Sequence, residues 1–210
     1  MIITYFGKQF FKVTQGDTVI GVNPIGKDSK FSGKGSRFGA EVVLSTTNHP
    51  DYNGVEILSR GDAEPVVISG PGDYEVKGIF VKGIRSDTEI DGKAYINTIY
   101  NVELEGIHMC FLGSLSKNNL SAEAKEAIGS PDILFVPIGD NKNLLDPTSA
   151  YKLAVSFEPS LIIPMDYEAP MLKTFLKEAG EEKVAPIEKL VLKKKDLDGK
   201  EGDVVVLMEN

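Results

Sequence analysis

The sequence is poor in the residues that build metal and redox sites, with one cysteine and two histidines in 210 residues. The lone Cys110 excludes an intramolecular disulfide and a Cys-rich zinc site. Basic charge is also short. The chain has 23 Lys and Arg against 31 Asp and Glu, a net charge of −8. That balance opposes non-specific binding to nucleic acid or to an anionic membrane, since both need a basic face. No apolar run approaches the ~18–20 residues that cross a bilayer. The opening MIITYFGKQFFKVTQGD has no basic segment followed by an uninterrupted apolar core, so no signal peptide is read. No short repeat and no low-complexity linker divides the chain. The expectation is a single cytoplasmic domain, residues 1–210.

What is present reads first as strands and then as strands mixed with helices. IITYFG and QFFKVTQGDTVIGVNP are strands, with Gly16-Asp17 as a turn. PVVISGPGDYEVKGIFVKGIR reads as two strands around a Gly-Pro-Gly turn, and NTIYNVELEGIHMCFLGS as a hairpin turning near Glu105-Gly106. SAEAKEAIG fits a short helix capped by Ser121 and stopped by Gly129. DPTSAYKLAVSF and APMLKTFLKEAG are further helices, alternating with the buried strands PDILFVPIG and SLIIPM. KLVLKKK and DVVVLME read as a closing pair of strands. The order is that of a mixed α/β chain with two sheets' worth of strands.

The stretch VVLSTTNHPDYNG, residues 42–54, is a buried strand running into a polar loop. The loop sets His49 and Asp51 two positions apart; the other histidine, His108, sits on a strand. It resembles the signature loop T-H-x-H-x-D-H of the metallo-β-lactamase superfamily. Thr46 matches the leading Thr, and His49 and Asp51 take the second-His and Asp positions. Thr47 replaces the first His and Tyr52 the last. Other segments are similar to the same superfamily in the same order: the opening hairpin ending in Asn23-Pro24, ISGPGDYEVKGIFVKGI, NTIYNVELEGIHMCFLGSL, DILFVPIGD and LIIPMDY. The resemblance spans nearly the whole chain. It implies an α/β (α+β) fold, an αββα sandwich of two mixed β-sheets flanked by helices, and a metal-dependent hydrolase lineage.

The ligand positions that the resemblance implies are largely lost. The Gly-Asp bridging ligand appears as Gly113-Ser114, and the final His as Asp166, beside Tyr167. The mid-chain His falls near RSDTE, where Asp87 is the nearest candidate. Catalytic zinc needs about three protein ligands and an open position for water, and two histidines cannot assemble the usual dinuclear site. Two readings stay open. In the first, the protein is a non-catalytic or ligand-binding scaffold with no cofactor; Asp51 caps the turn that follows and His49 bonds locally. In the second, His49, Asp51, Asp166 and Asp87 form an oxygen-rich site for a single divalent cation, Zn, Mn or Mg, with Thr47, Tyr52, Ser114 and Tyr167 around it. A metal-free form of this second reading uses His49 and Asp51 as a catalytic pair, with His49 the general base. Were the carboxylates to share a cation, Asp51→Asn and Asp166→Asn would relieve repulsion between clustered charges. Convergence of His49, Asp51 and Asp166 in one cleft is what separates the readings. Partners, homo-oligomerisation included, stay open.

Three further stretches are read as structural. DSKFSGKGS departs from G-x-x-x-x-G-K-[ST] at both ends and is read as a surface loop. KKK at 193–195 is read as a solvated strand face, and Cys110 as a buried structural thiol.

Overall fold

The computed structural model describes residues 1–32, 38–59, 64–139 and 142–210. Strands β1 (Ile2–Tyr5), β2 (Phe11–Gln15) and β3 (Thr18–Val22) form an antiparallel meander. Strands β4 (Val42–Leu44) and β5 (Val66–Ile68) then add to it in parallel. The chain crosses to a second sheet, where β6 (Gly72–Val76), β7 (Ile79–Ile90), β8 (Lys93–Leu104) and β9 (Ile107–Phe111) run antiparallel. Helix α1 (Ala122–Ile128), strand β10 (Ile133–Pro137), helix α2 (Pro147–Val155), strand β11 (Leu161–Met165) and helix α3 (Ala169–Glu178) follow. β10 and β11 extend the second sheet in parallel from β9. Strand β12 (Lys189–Val191) returns to the first sheet beside β1, and β13 (Asp203–Val204) joins the second beside β11.

Local chemistry explains these elements. β10 and β11 are buried at every residue, ILFVP and LIIPM, because layers cover both faces of a parallel pair. In the long β7 the two ends alternate between buried and exposed residues, the pattern of a strand with one wet face. Ser121 accepts from the Ala124 N–H at the start of α1, and Asp146 accepts from Ser149 N–H with Pro147 at the first helical position of α2.

The α/β sandwich of two mixed sheets is therefore observed, with the α-helices of the described residues on the second sheet. Its centre is a layer of side chains from both sheets, in which the Phe111 and Phe135 rings stack at 4.0 Å and Phe11 meets Phe135 edge-on at 4.9 Å. On the outer face of the second sheet, Cys110, Leu134 and Ile162 pack with Leu153 and Phe175 of α2 and α3. Over the first sheet the outer layer, among the described residues, is a 3-10 turn (Val55–Leu58) and an aromatic cluster of Phe6, Phe10 and Phe38. Leu58 presses so close that a Cβ on Gly21 would stand 2.2 Å from its Cδ1, which is why the middle of β3 carries glycine.

Three local expectations change. Gly70-Pro71-Gly72 is the passage between the two sheets, and the tight hairpin turn is Lys77-Gly78, between β6 and β7. The two closing strands do not pair with each other: β12 and β13 lie in different sheets. Lys194 and Lys195 lie on a 3-10 turn (Lys194–Leu197) and not on a strand, and Lys194 pairs with Asp132 at 2.6 Å. Within DSKFSGKGS, residues 33–36 lie outside the described residues.

Because the stacked phenylalanines fill the interior between the sheets, Phe135→Ala is expected to cost about 3–5 kcal/mol. The same change at Phe80, 51% exposed, should cost within about 0.5 kcal/mol. Urea denaturation checks both, and equal costs would place the core elsewhere.

Candidate functional site

The loop after β4 bridges the two sheets. Thr46 N–H donates to Asn23 Oδ1 at 2.8 Å on one side, and Thr98 N–H donates to Thr46 O at 2.7 Å on the other. Asn23 itself sits in the left-handed region, φ +48, just past β3. Ser45 Oγ then donates to Tyr52 O at 3.0 Å, and Tyr52 N–H to His49 O at 2.8 Å, curling residues 45–52 into a compact turn.

Two of the residues expected around the site are closed off in a neutral cluster. Thr47 Oγ1 lies 3.1 Å from Asn97 Oδ1 and 3.2 Å from Ser114 Oγ. Asn97, fully buried, accepts from Ser114 N–H at 2.9 Å and donates to Ser86 Oγ at 2.8 Å and Leu112 O at 2.9 Å. Thr88 donates to the Ser114 carbonyl. The backbone cooperates: Gly113 has φ +65, and a Cβ there would fall 2.2 Å from Asn97 Oδ1. Thr47 and Ser114 therefore bond to each other and to Asn97.

Asp166 is the charged centre. It follows β11 with φ +56, and its side chain is 4% exposed. A carboxylate so deeply buried is costly unless paired and hydrogen-bonded. Here Oδ1 meets Lys8 Nζ at 2.6 Å, while Oδ2 accepts from Tyr52 OH at 2.8 Å and Gln9 Nε2 at 3.1 Å. The Asp166 N–H donates to Tyr5 OH at 3.2 Å. Gln9, with no exposed surface, is held in turn by Asn23 Nδ2, 3.1 Å from its Oε1. Burial pushes the Tyr52 phenol well above its ordinary value, and the charge of Asp166 pushes it further. Burial and the same charge act on Tyr5 in the same direction.

His49 and Asp51 stand at the rim. Asp51 N–H donates to His49 Nδ1 at 3.3 Å, so Nδ1 is the acceptor and the neutral ring carries its proton on Nε2. The Asp51 carboxylate lies 3.8 Å from that Nδ1, accepts from Ser29 Oγ at 2.6 Å, and lies 3.9 Å from Lys8 Nζ. This is not the arrangement in which a carboxylate orients Nδ1–H and leaves Nε2 as a base. The His49 ring instead packs edge-on against Tyr95 at 5.6 Å.

The structure thus brings Asp51 and Asp166 to one ammonium, with His49 beside Asp51. Asp87 is not among them: it lies on the exposed face of β7, 78% exposed and 3.3 Å from Arg85, while its neighbour Thr88 is the inward residue. Tyr167 lies beside Asp166 in sequence, yet its hydroxyl donates to Leu207 O at 3.3 Å. Burial raises its phenol to about 12. The expectation that Asp51 and Asp166 repel each other also changes, because Lys8 lies against both. Lys8, Gln9 and Asn97 are not among the residues that the sequence singles out, and Asn23 enters there only as the end of the opening hairpin. The signal was the polar pair Lys8-Gln9 inside the apolar run from Ile2 to Phe11.

These residues do not fit the metal that the resemblance implies. Among the described residues, no group of three or more His, Cys, Asp or Glu side chains is placed to hold a metal ion. Asp166 is already engaged by three donors, one of them a cation. An open cleft of about 340 Å³ lies over this centre, bordered by Lys8, Phe31, His49, Asp51, Tyr52 and Asp91. Asp91 and Asn143, which also borders it, clasp each other through two hydrogen bonds of 3.0 and 3.1 Å. A second cleft of about 390 Å³ shares Lys8 and Phe31 and reaches Asp166 and Tyr167.

The beta-lactamase superfamily domain matches residues 2–166. A Thermotoga maritima protein assigned as a Zn-dependent hydrolase of the metallo-beta-lactamase superfamily is 29% identical and superposes with a TM-score of 0.76, covering 98% of this chain and 97% of its own. A Parabacteroides distasonis protein assigned as a metal-dependent hydrolase is 15% identical, with a TM-score of 0.67 over 98% of this chain and 93% of its own. The Bacillus subtilis metallo-beta-lactamase fold protein YhfI is 8% identical, with a TM-score of 0.64 over 99% and 96%. At these lower identities the likeness is one of fold. No curated protein matches the chain.

Tyr52→Phe removes a donor from the buried carboxylate and should cost about 1–3 kcal/mol at neutral pH. The alkaline limb gives a second readout. With its folded-state value raised above 10.0, the phenol keeps a proton that the unfolded chain sheds. Its contribution is full below 10.0 and is lost as pH rises further. Urea denaturation from about pH 8 to pH 11 should show a shallower fall in stability for the variant. An unchanged slope would mean that this phenol is not held neutral by its surroundings.

Proposed function

We propose, given that this chain belongs to the beta-lactamase superfamily, that it is a ligand-binding member of a metal-dependent hydrolase lineage and does not itself carry out hydrolysis at a dinuclear zinc centre. The observation that carries this reading is the engagement of Asp166 by Lys8, Tyr52 and Gln9. A zinc ligand must offer a lone pair to the metal, and catalytic sites keep about three such ligands and an open position. Here the carboxylate faces an ammonium, and Thr47 and Ser114 bond to Asn97.

The reading treats residues 1–210 as a single domain, in which β12 near the end pairs with β1 at the start. No helix among the described residues is long and apolar enough to cross a membrane. The cytoplasm is the proposed location, and the clefts around Lys8 and Phe31 are the proposed ligand site. A second reading, an atypical hydrolase using His49, Asp51 and Asp166 with one divalent cation, draws its support from the shared cleft edge at Lys8.

Elemental analysis of protein purified without chelators tests the choice. Well under one equivalent of zinc per chain is expected, together with a melting temperature that millimolar Mn²⁺ or Mg²⁺ leaves unmoved. Two tightly held zinc ions per chain would overturn the proposal, and a stoichiometric single ion would favour the second reading.

A further inference from the structure

We infer that the Lys8 ammonium is the resident cation of this site: it sits between the carboxylates of Asp166 and Asp51 and closes that pair to divalent ions. The inference rests on the reading above and assigns the charge that takes a metal's place. Lys8 Nζ is 2.6 Å from Asp166 Oδ1 and 3.9 Å from Asp51 Oδ2. The same ammonium lies 4.6 Å from the centre of the Phe31 ring and 5.9 Å from that of Tyr52, distances at which an aromatic face attracts a cation. Two carboxylates and two ring faces therefore converge on one positive charge supplied by the chain.

The backbone is built to deliver it. Lys8 occupies the left-handed region, φ +52, which disfavours any residue with a Cβ. Its carbonyl accepts from Tyr5 OH at 2.8 Å, and the same hydroxyl accepts from Asp166 N–H at 3.2 Å. Tyr5 thus ties the turn that carries the ammonium to the residue that carries the carboxylate. The exposed Lys77 has the same φ, +52, in a hairpin turn, so the conformation is that of a tight turn, and the tie through Tyr5 is what is particular to Lys8. A divalent ion bound by one or two carboxylates and waters needs those oxygens free. With Lys8 in place, Asp166 Oδ1 holds the ammonium, and Asp166 Oδ2 accepts from Tyr52 and Gln9.

Three measurements on the full chain test the assignment. Lys8→Met keeps the backbone conformation and most of the side-chain bulk but removes the charge; it should lower the melting temperature by at least about 5 °C. Lys8→Arg, which keeps the charge, should recover part of that loss. Lys8→Ala leaves the two carboxylates without their cation and should acquire a rise in melting temperature with millimolar Mn²⁺ that the wild type lacks. In the wild type, an acylating reagent should modify the Lys8 amine several-fold more slowly than the exposed Lys77 and Lys82. This last measurement decides the matter even where the Lys8 variants fail to fold. Lys8→Met as stable as wild type, a folded Lys8→Ala indifferent to Mn²⁺, or Lys8 labelled as fast as Lys77 would each overturn the inference. Those failures, in a wild type that carries little zinc, would leave the proposed function standing. Stoichiometric zinc in the wild type would remove both.

Discussion

A carboxylate that is 4% exposed has to be compensated, and the edge of this sandwich is arranged around that requirement at Asp166. The compensation comes from distant parts of the chain. Lys8 and Gln9 come from the turn between β1 and β2, Tyr52 from the loop after β4, and Tyr5 from the end of β1. Asn23 adds the next link by holding Gln9 on one side and the Thr46 backbone on the other. One buried charge therefore orders three loops of the first sheet against the end of β11 in the second.

A neutral joint lies beside it. Asn97, on β8, uses both halves of its amide to hold Thr47, Ser114, Ser86 and the Leu112 carbonyl. The amide has no net charge to compensate, so this joint needs no ion. Its donors and acceptors are satisfied within the protein, as buried polar groups must be. The two joints differ in kind: Asn97 ties neutral groups together, and Asp166 holds a charge paired with Lys8.

The chemistry open to the cleft follows from those two joints. With Nδ1 accepting a hydrogen bond, a neutral His49 ring offers Nε2 as a donor. Phe31, Tyr52 and the Lys8 stem give the cleft apolar walls, while Asp51 and Asp91 supply charged edges.

The sequence by itself determined the strands and helices that periodicity and capping residues encode. VVLS, DILFVP and LIIPM announce buried strands, and Ser121 caps the helix that follows it. The ordered series of motifs also carried the fold, and counting histidines limited what metal chemistry the loop at 46–52 can support. Tertiary structure alone decided which polar residues meet. Asp87 and Thr88 are adjacent, and only the pleat of β7 says that the threonine points inward and the aspartate to solvent. Closing strands that look like partners sit in different sheets, because pairing depends on which edges are open when they arrive. Lys8 and Asp166 are 158 positions apart, and their ion pair at 2.6 Å has no local signature. Local pattern records how a segment buries its own apolar face; a charge pair between distant loops exists only once both sheets have brought those loops together.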